Sequence, residues 1–501
     1  MRAASLLALV LVGCPSSDPA PERPAADRTT AVTVDTGVAV AEVDPRFLSF
    51  AVDSSQIAGT EFWNEDPLTS EEEPEVPVDP YDFTRPRLAN LTAPLAPAYL
   101  RIGGTHADYL FYDLSDAPVT EPPEPYEGVL NRGMWDPMAD FVTANGLDLK
   151  FTINAADGPR DDDGVWQPDQ ARLLLEHARD RGDRLDVVEL GNEPNGYLLF
   201  HGFALDPAQF GDDLRVLRAL RDEVLPGVKI AAPSVAYWPI NGEFITFMEE
   251  ALAEGGDALD VVTWHYYPQQ SRRCPIQSVA AAPDVMQDPE RLDEIRTWAD
   301  EVEAAVAAHA PQADVWLGET GNAQCGGSYG VSDRWAGTFW WMDQLGLLAR
   351  RGQKVVIRQT LSGSDYGLMD DTTLTPRPDY WASLLWKQLM GTTVLDATSA
   401  DASLRTWAHC SDGGVTVLAI NLSADASVDV TLPDLAASGW QTWTLEADGL
   451  ESSTVRLNGT TLETAADGTP PDLEGAATDW LILPPRSIGF ARIPGAVAAC
   501  G

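Results

Sequence analysis

Up to about residue 394, short apolar runs alternate with longer stretches whose hydrophobic positions recur every three to four residues. The runs fall at 46–53, 98–103, 149–154, 185–190, 228–232, 260–265, 314–318 and 354–359. Most are apolar at nearly every position, the pattern of parallel strands covered on both faces. The stretches between them carry helix punctuation. Pro168-Asp169 opens 170–181, where Leu173, Leu174 and His177 share a face; Ser332-Asp333 opens 334–351, which Gly352 ends; Pro378 opens 379–390, which Gly391 ends. Eight such units predict an α/β fold, a (β/α)8 TIM barrel over 44–394 with its chemistry at the C-terminal ends of the strands.

After Gly391 the period drops to two. Alternating runs at 415–422, 428–432, 440–445, 455–462 and 480–493, with the hairpin signal Asn458-Gly459, predict a C-terminal β-sandwich domain over 395–501. Residues 31–43 alternate in the same way and are expected to join the β-sandwich as a further strand. An acidic insertion at 61–82, containing Glu71-Glu72-Glu73-Pro74-Glu75, sits on the loop after the first barrel strand. It reads as a solvated loop or, more specifically, as a wall of a substrate cleft.

The N-terminus carries an address rather than a fold element. Met1-Arg2 and the apolar run 3–12 form a signal-peptide pattern over 1–13, too short to span a membrane as a helix. Leu11-Val12-Gly13-Cys14 resembles a bacterial lipobox, which implies lipidation of Cys14; an ordinary signal peptide with a chance cysteine is the alternative. Residues 14–30, rich in Pro, Ala, Ser and Asp, have the composition of a flexible tether. The expectation is export, with a lipid anchor in a bacterial (outer) membrane, and otherwise a periplasmic or secreted protein.

Charge and cysteines narrow the partners. A net charge of −44 repels nucleic acid, anionic membranes and densely sulfated polysaccharides, though it fits adaptation to a salty habitat equally well. The six histidines are scattered singly without metal-ligand spacing, so no metal and no cofactor is expected. With Cys14 set aside, Cys274, Cys325, Cys410 and Cys500 remain, an even number for an oxidising compartment. Cys274 and Cys325 both follow strands and could staple two loops, and Cys410 and Cys500 could close the C-terminal region; buried free thiols are the alternative.

The candidate chemistry rests on two carboxylates. Val187-Val188-Glu189-Leu190 runs into Gly191-Asn192-Glu193-Pro194-Asn195, and Val315-Trp316-Leu317 runs into Gly318-Glu319-Thr320. Glu193 and Glu319 therefore stand at the C-terminal ends of the fourth and seventh strands, on one rim of a barrel. Paired carboxyl groups there are what glycosidic cleavage needs, one to protonate the leaving oxygen and one to attack or to activate water. Glu189 lies on the strand body, four residues too early to reach the rim, and is set aside as a decoy.

These residues resemble heparanase and the β-glucuronidases of glycoside hydrolase family 79, in clan A. The likeness covers, with gaps, about 44–500, and is carried by Glu189–Asn195, Trp316-Leu317-Gly318-Glu319-Thr320, Ala98-Tyr99-Leu100-Arg101-Ile102-Gly103-Gly104-Thr105, Val262-Thr263-Trp264-His265-Tyr266-Tyr267 and 355–389. The resemblance implies a retaining enzyme with Glu193 as acid/base and Glu319 as nucleophile. It implies Tyr267 and Arg101 as partners of the nucleophile, Asn192 on the sugar 2-hydroxyl, Asp53 and Thr105 on other hydroxyls, and His265 either lining the pocket or closing the core. It further implies that Gly326 and Gly327, with Gln359 and Tyr366, bind the C6 carboxylate of glucuronic acid, and it supports a Cys410–Cys500 bridge. Departures from heparanase are informative too. Only 114–133 stands where heparanase has a long excised linker, and basic residues that grip sulfates are replaced by Tyr197-Leu198-Leu199-Phe200 and Tyr237-Trp238-Pro239. Arg272 and Arg273 are left as candidate anion contacts. The expected substrate is a β-glucuronide end group on a glycan or a small glucuronide, cleaved in exo fashion. Endo cleavage, a neutral-sugar clan A glycosidase and a non-catalytic glycan-binding lipoprotein are the rivals.

Overall fold

The computed structural model describes residues 23–64 and 74–500. The signal peptide, Cys14 and Glu71-Glu72-Glu73 lie outside the described residues. Eight parallel strands close into a barrel: Leu48–Asp53, Tyr99–Gly103, Asp148–Ile153, Leu185–Leu190, Lys229–Tyr237, Val261–Tyr266, Asp314–Thr320 and Val355–Arg358. They follow the eight runs read from the sequence, with ends shifted by a residue or so except in the fifth. There the strand continues past Pro233 and the left-handed Ser234 to Tyr237, beyond the point where a proline reads as a stop.

Alternation along each strand sorts the side chains. Phe50, Leu100, Phe151, Val188, Val262, Leu317 and Val356 point outward into the large core shared with the helices. Their neighbours Ala51, Tyr99, Val187, Ala231, Val261, Trp316, Val355 and Ile357 form a separate apolar plug inside the barrel, where the Tyr99 and Trp316 rings lie 4.9 Å apart. The next inward positions toward the C-terminal mouth are polar, namely Arg101, Lys150, Glu189 and Thr263, all fully buried. The barrel is thus apolar at its base and charged just below its mouth, and that switch positions the site.

The C-terminal region is a β-sheet assembly around its own core of Val415, Val417, Val428, Val430, Leu481, Leu483 and Ile493. Strand Arg28–Glu42 belongs to it, pairing antiparallel with Thr393–Ser399 through its later residues and parallel with Val428–Thr431 through Arg28 to Ala31. Residues 23–30, read as tether, are therefore docked: Arg23 pairs with Asp429, and Arg28 with Asp401, Ser403 and Asn421. The run read as one strand over 480–493 is two, Leu481–Leu483 and Ser487–Pro494, which pair with different neighbours; Pro484 and Pro485 break it. Strand Leu404–Ser411, not anticipated, pairs along its length with Gly414–Asn421. Its Cys410 is bonded to Cys500, and Cys274 to Cys325. Among the described residues no helix is long and apolar enough to cross a membrane.

Candidate active site

Glu319 is the penultimate residue of the seventh strand, in register with His265 on the sixth. Glu193 leaves the fourth strand in a left-handed conformation, φ 53°, at the start of the turn Pro194–Gly196. The two carboxyl groups meet across the mouth: one oxygen of each, together with a His265 nitrogen, lie within 4.8 Å of one another. Both are nearly buried.

Their surroundings separate their charges. Glu319 accepts from Arg101 Nη1 on Oε2 at 2.6 Å and from the Tyr267 hydroxyl on Oε1 at 2.7 Å. Burial alone would raise its pKa, but the fields of His265 and Arg101 and these hydrogen bonds bring it below the ordinary carboxylate value. Among the described residues, the one side-chain hydrogen bond of Glu193 joins its Oε1 to His265 Nδ1 at 2.9 Å. Burial dominates there, with the Glu319 charge adding to it, so its pKa is raised despite His265. The same burial therefore ends in opposite shifts for the two carboxyl groups.

Beneath the pair lies a charge network that sequence reading dismissed. Arg101 Nε donates to Glu189 Oε2 at 2.9 Å while its Nη2 donates to Asn192 Oδ1 at 2.8 Å, so one guanidinium ties together Glu189, Asn192 and Glu319. Glu189 also accepts from Lys150, from Thr152 Oγ1 at 2.6 Å and from Ser234 Oγ at 2.5 Å. Glu189 stays off the rim, but it anchors the arginine that holds Glu319. Gly103 makes room for this: a Cβ there would sit 2.5 Å from the Arg101 guanidinium carbon. The alternation of inward positions on adjacent strands was the signal that could have found Lys150 and Glu189.

A second missed residue is Asp108. Its Oδ2 accepts the backbone N–H of Asn192 and its Oδ1 that of Ala155, each at 2.8 Å, which fixes the loop carrying Glu193; burial pushes its pKa up to about 7. Asn192 Oδ1 accepts a further N–H from Gly104, next to Thr105, which is half-buried at the start of a short turn.

The remaining predicted residues gather on the opposite side. Asp53 caps the helix Ser54–Ala58 through Oδ1, and its Oδ2 accepts from Gln359 Nε2 at 3.1 Å. Tyr366 is buried beside them, and that burial pushes its pKa well above the ordinary value. Cys325, Gly326 and Gly327 run at φ 59°, 81° and 84°, a left-handed stretch in which only glycine is unstrained. A Cβ on Gly327 would meet Tyr366 N at 2.6 Å. Arg273 proves to be structural: it is buried, paired with Asp365, and donates to Gly327 O at 2.8 Å and Cys325 O at 3.3 Å. Arg272 stays at the surface. Tyr197 and Tyr237, read as replacing basic contacts, are turned into the core.

Glu193, His265 and Glu319 offer a metal-sized donor set among the described residues. The Arg101 guanidinium, already 2.6 Å from Glu319, opposes a second cation at that point.

The family model for the N-terminal domain of glycosyl hydrolase family 79 matches residues 29–346. The chain is 31% identical to heparanase-like protein 1 of Arabidopsis thaliana over 474 residues, covering 82% of this chain and 85% of that one. It is 30% identical to heparanase of Mus musculus over 521 residues, covering 91% and 92%. Among solved structures, the GH51 arabinofuranosidase of Xanthomonas axonopodis pv. citri superposes with a TM-score of 0.67 at 14% identity over 93% of this chain and 99% of that one, a likeness of fold. With a family match that spans most of the barrel and relatives aligned through the sandwich, the chain belongs to glycosyl hydrolase family 79, as a heparanase-like glycosidase.

Proposed function

We propose that this protein is a retaining β-glucuronidase that removes terminal glucuronic acid. The observation that carries the proposal is a pair of buried carboxyl groups whose oxygens lie within 4.8 Å, in surroundings that raise the pKa of Glu193 and lower that of Glu319. Separations of about 5 Å fit direct attack, whereas inverting enzymes hold a water in a gap of about 6.5–9.5 Å. Glu319, ionised, attacks the anomeric carbon as Glu193 gives its proton to the departing glycosidic oxygen. Glu193, now ionised, then takes a proton from the water that hydrolyses the glycosyl ester and releases Glu319. The Asn192 carbonyl oxygen is occupied by Arg101 and Gly104, which turns its amide N–H2 toward the sugar 2-hydroxyl.

Uronate recognition is supported by the backbone of residues 325–327. Their carbonyls are already engaged, Cys325 O by Ser271 Oγ and Arg273, Gly326 O by Ser364 Oγ and the amides of Asp365 and Tyr366, and Gly327 O by Arg273. An anion approaching this loop meets N–H groups rather than oxygens. Exo action is supported by the hairpin of Glu61–Trp63 and Glu75–Pro77, whose Trp63 Cβ lies 2.6 Å from where a Gly326 Cβ would stand, walling the uronate end. The two disulfides favour an oxidising compartment and support export.

Release of 4-nitrophenol from its β-glucuronide tests the reading, with the β-xyloside as control. Glu319→Gln should lower kcat by about four orders of magnitude or more. Cleavage of the xyloside alone would overturn uronate specificity, and rapid shortening of heparosan chains would overturn exo action.

A further inference from the structure

The leaving group must lie against the loop of its proton donor, so the path of the aglycone is set by Glu193. That loop continues into the short helix Tyr197–Phe200, and the loops after the neighbouring fifth and sixth strands flank it. On these three loops Leu198, Leu199, Phe200, Ile240, Phe244 and Ile276 are each at least 40% exposed. In a chain with a net charge of −44, such a concentration of bare apolar side chains is at odds with the rest of the surface. The loops are tied together: Asn195 Nδ2 donates to Ala236 O at 3.0 Å, and Asn241 Nδ2 to Ser278 Oγ at 2.7 Å. Trp238 and Phe244 pack edge to face at 5.9 Å. Ile240 stands at φ 68°, a left-handed conformation that a β-branched residue rarely adopts, and there its side chain faces solvent rather than core. Residues 196–205 and 238–248 contain no lysine or arginine to hold a sulfate or carboxylate; on the third loop Arg273 is buried against Asp365 and Arg272 is exposed.

We infer that these loops form an aglycone platform for an apolar alcohol, alkyl or aryl, so that the substrates are glucuronides of hydrophobic aglycones rather than charged polysaccharide ends. This rests on the β-glucuronidase reading. The platform lies on the proton donor's side, across the mouth from the walled uronate end, and an apolar group seated there leaves water as the glycosidic bond is presented to Glu193.

The test compares n-octyl and methyl β-D-glucuronide, alkyl leaving groups of similar basicity, so that their ratio of kcat/KM reads binding and not leaving-group chemistry. The full chain should favour the octyl compound by about tenfold or more. Leu198→Ser, Phe200→Ser and Phe244→Ser, all at exposed positions, should each lower that ratio, and the triple variant should bring it close to one. Val38→Ser, an exposed apolar position on the strand Arg28–Glu42, should leave the ratio where it was. A ratio near one in the wild type, or one unmoved by the triple variant, overturns the inference while leaving the glucuronidase reading intact. So does a ratio that stays fixed while the variants abolish a dimer, which makes the patch an interface between copies, and so does stronger preference for a glucuronyl-galactose disaccharide. If no β-glucuronide is cleaved, the reading beneath it falls first.

Discussion

Glu189 lies on the fourth strand and Glu193 just past its end, yet burial acts on them with opposite results. Glu189 is wholly buried and its pKa is nonetheless driven well below the usual value: the desolvation that opposes this is outweighed by Arg101 and Lys150, with hydroxyls of Thr152 and Ser234 completing its shell. Glu193 is almost as buried but faces a histidine and another carboxylate, so desolvation wins and its pKa is raised. Lys150 feels the other side of the same burial, which pushes its pKa down to about 7 even beside Glu189. Depth does not decide protonation here; the charges within contact do. Among the described residues Glu189 is surrounded by cations and hydroxyls, and Glu193 has His265 as its one side-chain hydrogen-bond partner.

Substituting the two glutamates in parallel breaks that comparison most directly. Glu193→Gln should lower kcat about a thousandfold on a glucuronide with a poor leaving group, with the unfolding midpoint unchanged. Glu189→Gln should instead cost about 3–5 kcal/mol in urea unfolding, because it strands Arg101 and Lys150 in the barrel. The sign of its pH dependence follows from a depressed folded pKa. Glu189 contributes its stability above its ordinary value near about 4.3, and the gap between wild type and variant closes as pH falls through the folded value. Equal stability losses in the two variants would erase the distinction.

A smaller effect tests the glycine pair. Gly326→Ala imposes a left-handed conformation on a residue with a Cβ and presses it against Trp63 and Ser364, for an expected loss of about 1–3 kcal/mol that appears in KM for glucuronides. The smallest effect is on pH. His265 lowers the pKa of both Glu193 and Glu319, so His265→Ala should move both limbs of the kcat/KM profile upward, by about one pH unit or less. A downward shift of either limb would contradict the arrangement.

Much of this was legible in the chain because parallel strands buried on both faces announce themselves as apolar runs, and because the residue after such a run is delivered to the rim. Glu193 and Glu319 follow from that alone once their strands are found, whereas Tyr267 came from the family resemblance. Arg273 misled for the converse reason. A basic residue on a rim loop reads as a ligand contact, and only packing against Asp365 and the carbonyls of Cys325 and Gly327 reveals it as a brace. Tyr197 was misplaced likewise, since a helical turn after Gly196 rotates it inward and its neighbours Leu198 and Leu199 outward.

By itself the sequence determined the barrel, the strand that each carboxylate follows and the kind of chemistry two such groups support, since hydrophobic period and turn residues act over short stretches of chain. Tertiary structure alone decided which way each carboxyl group's pKa is pushed, that Glu189 secures Arg101, and that the residues after Glu193 turn an apolar face to solvent. Those outcomes depend on distances between atoms far apart in sequence, and electrostatic energy in a buried site is set by such distances and by the exclusion of water.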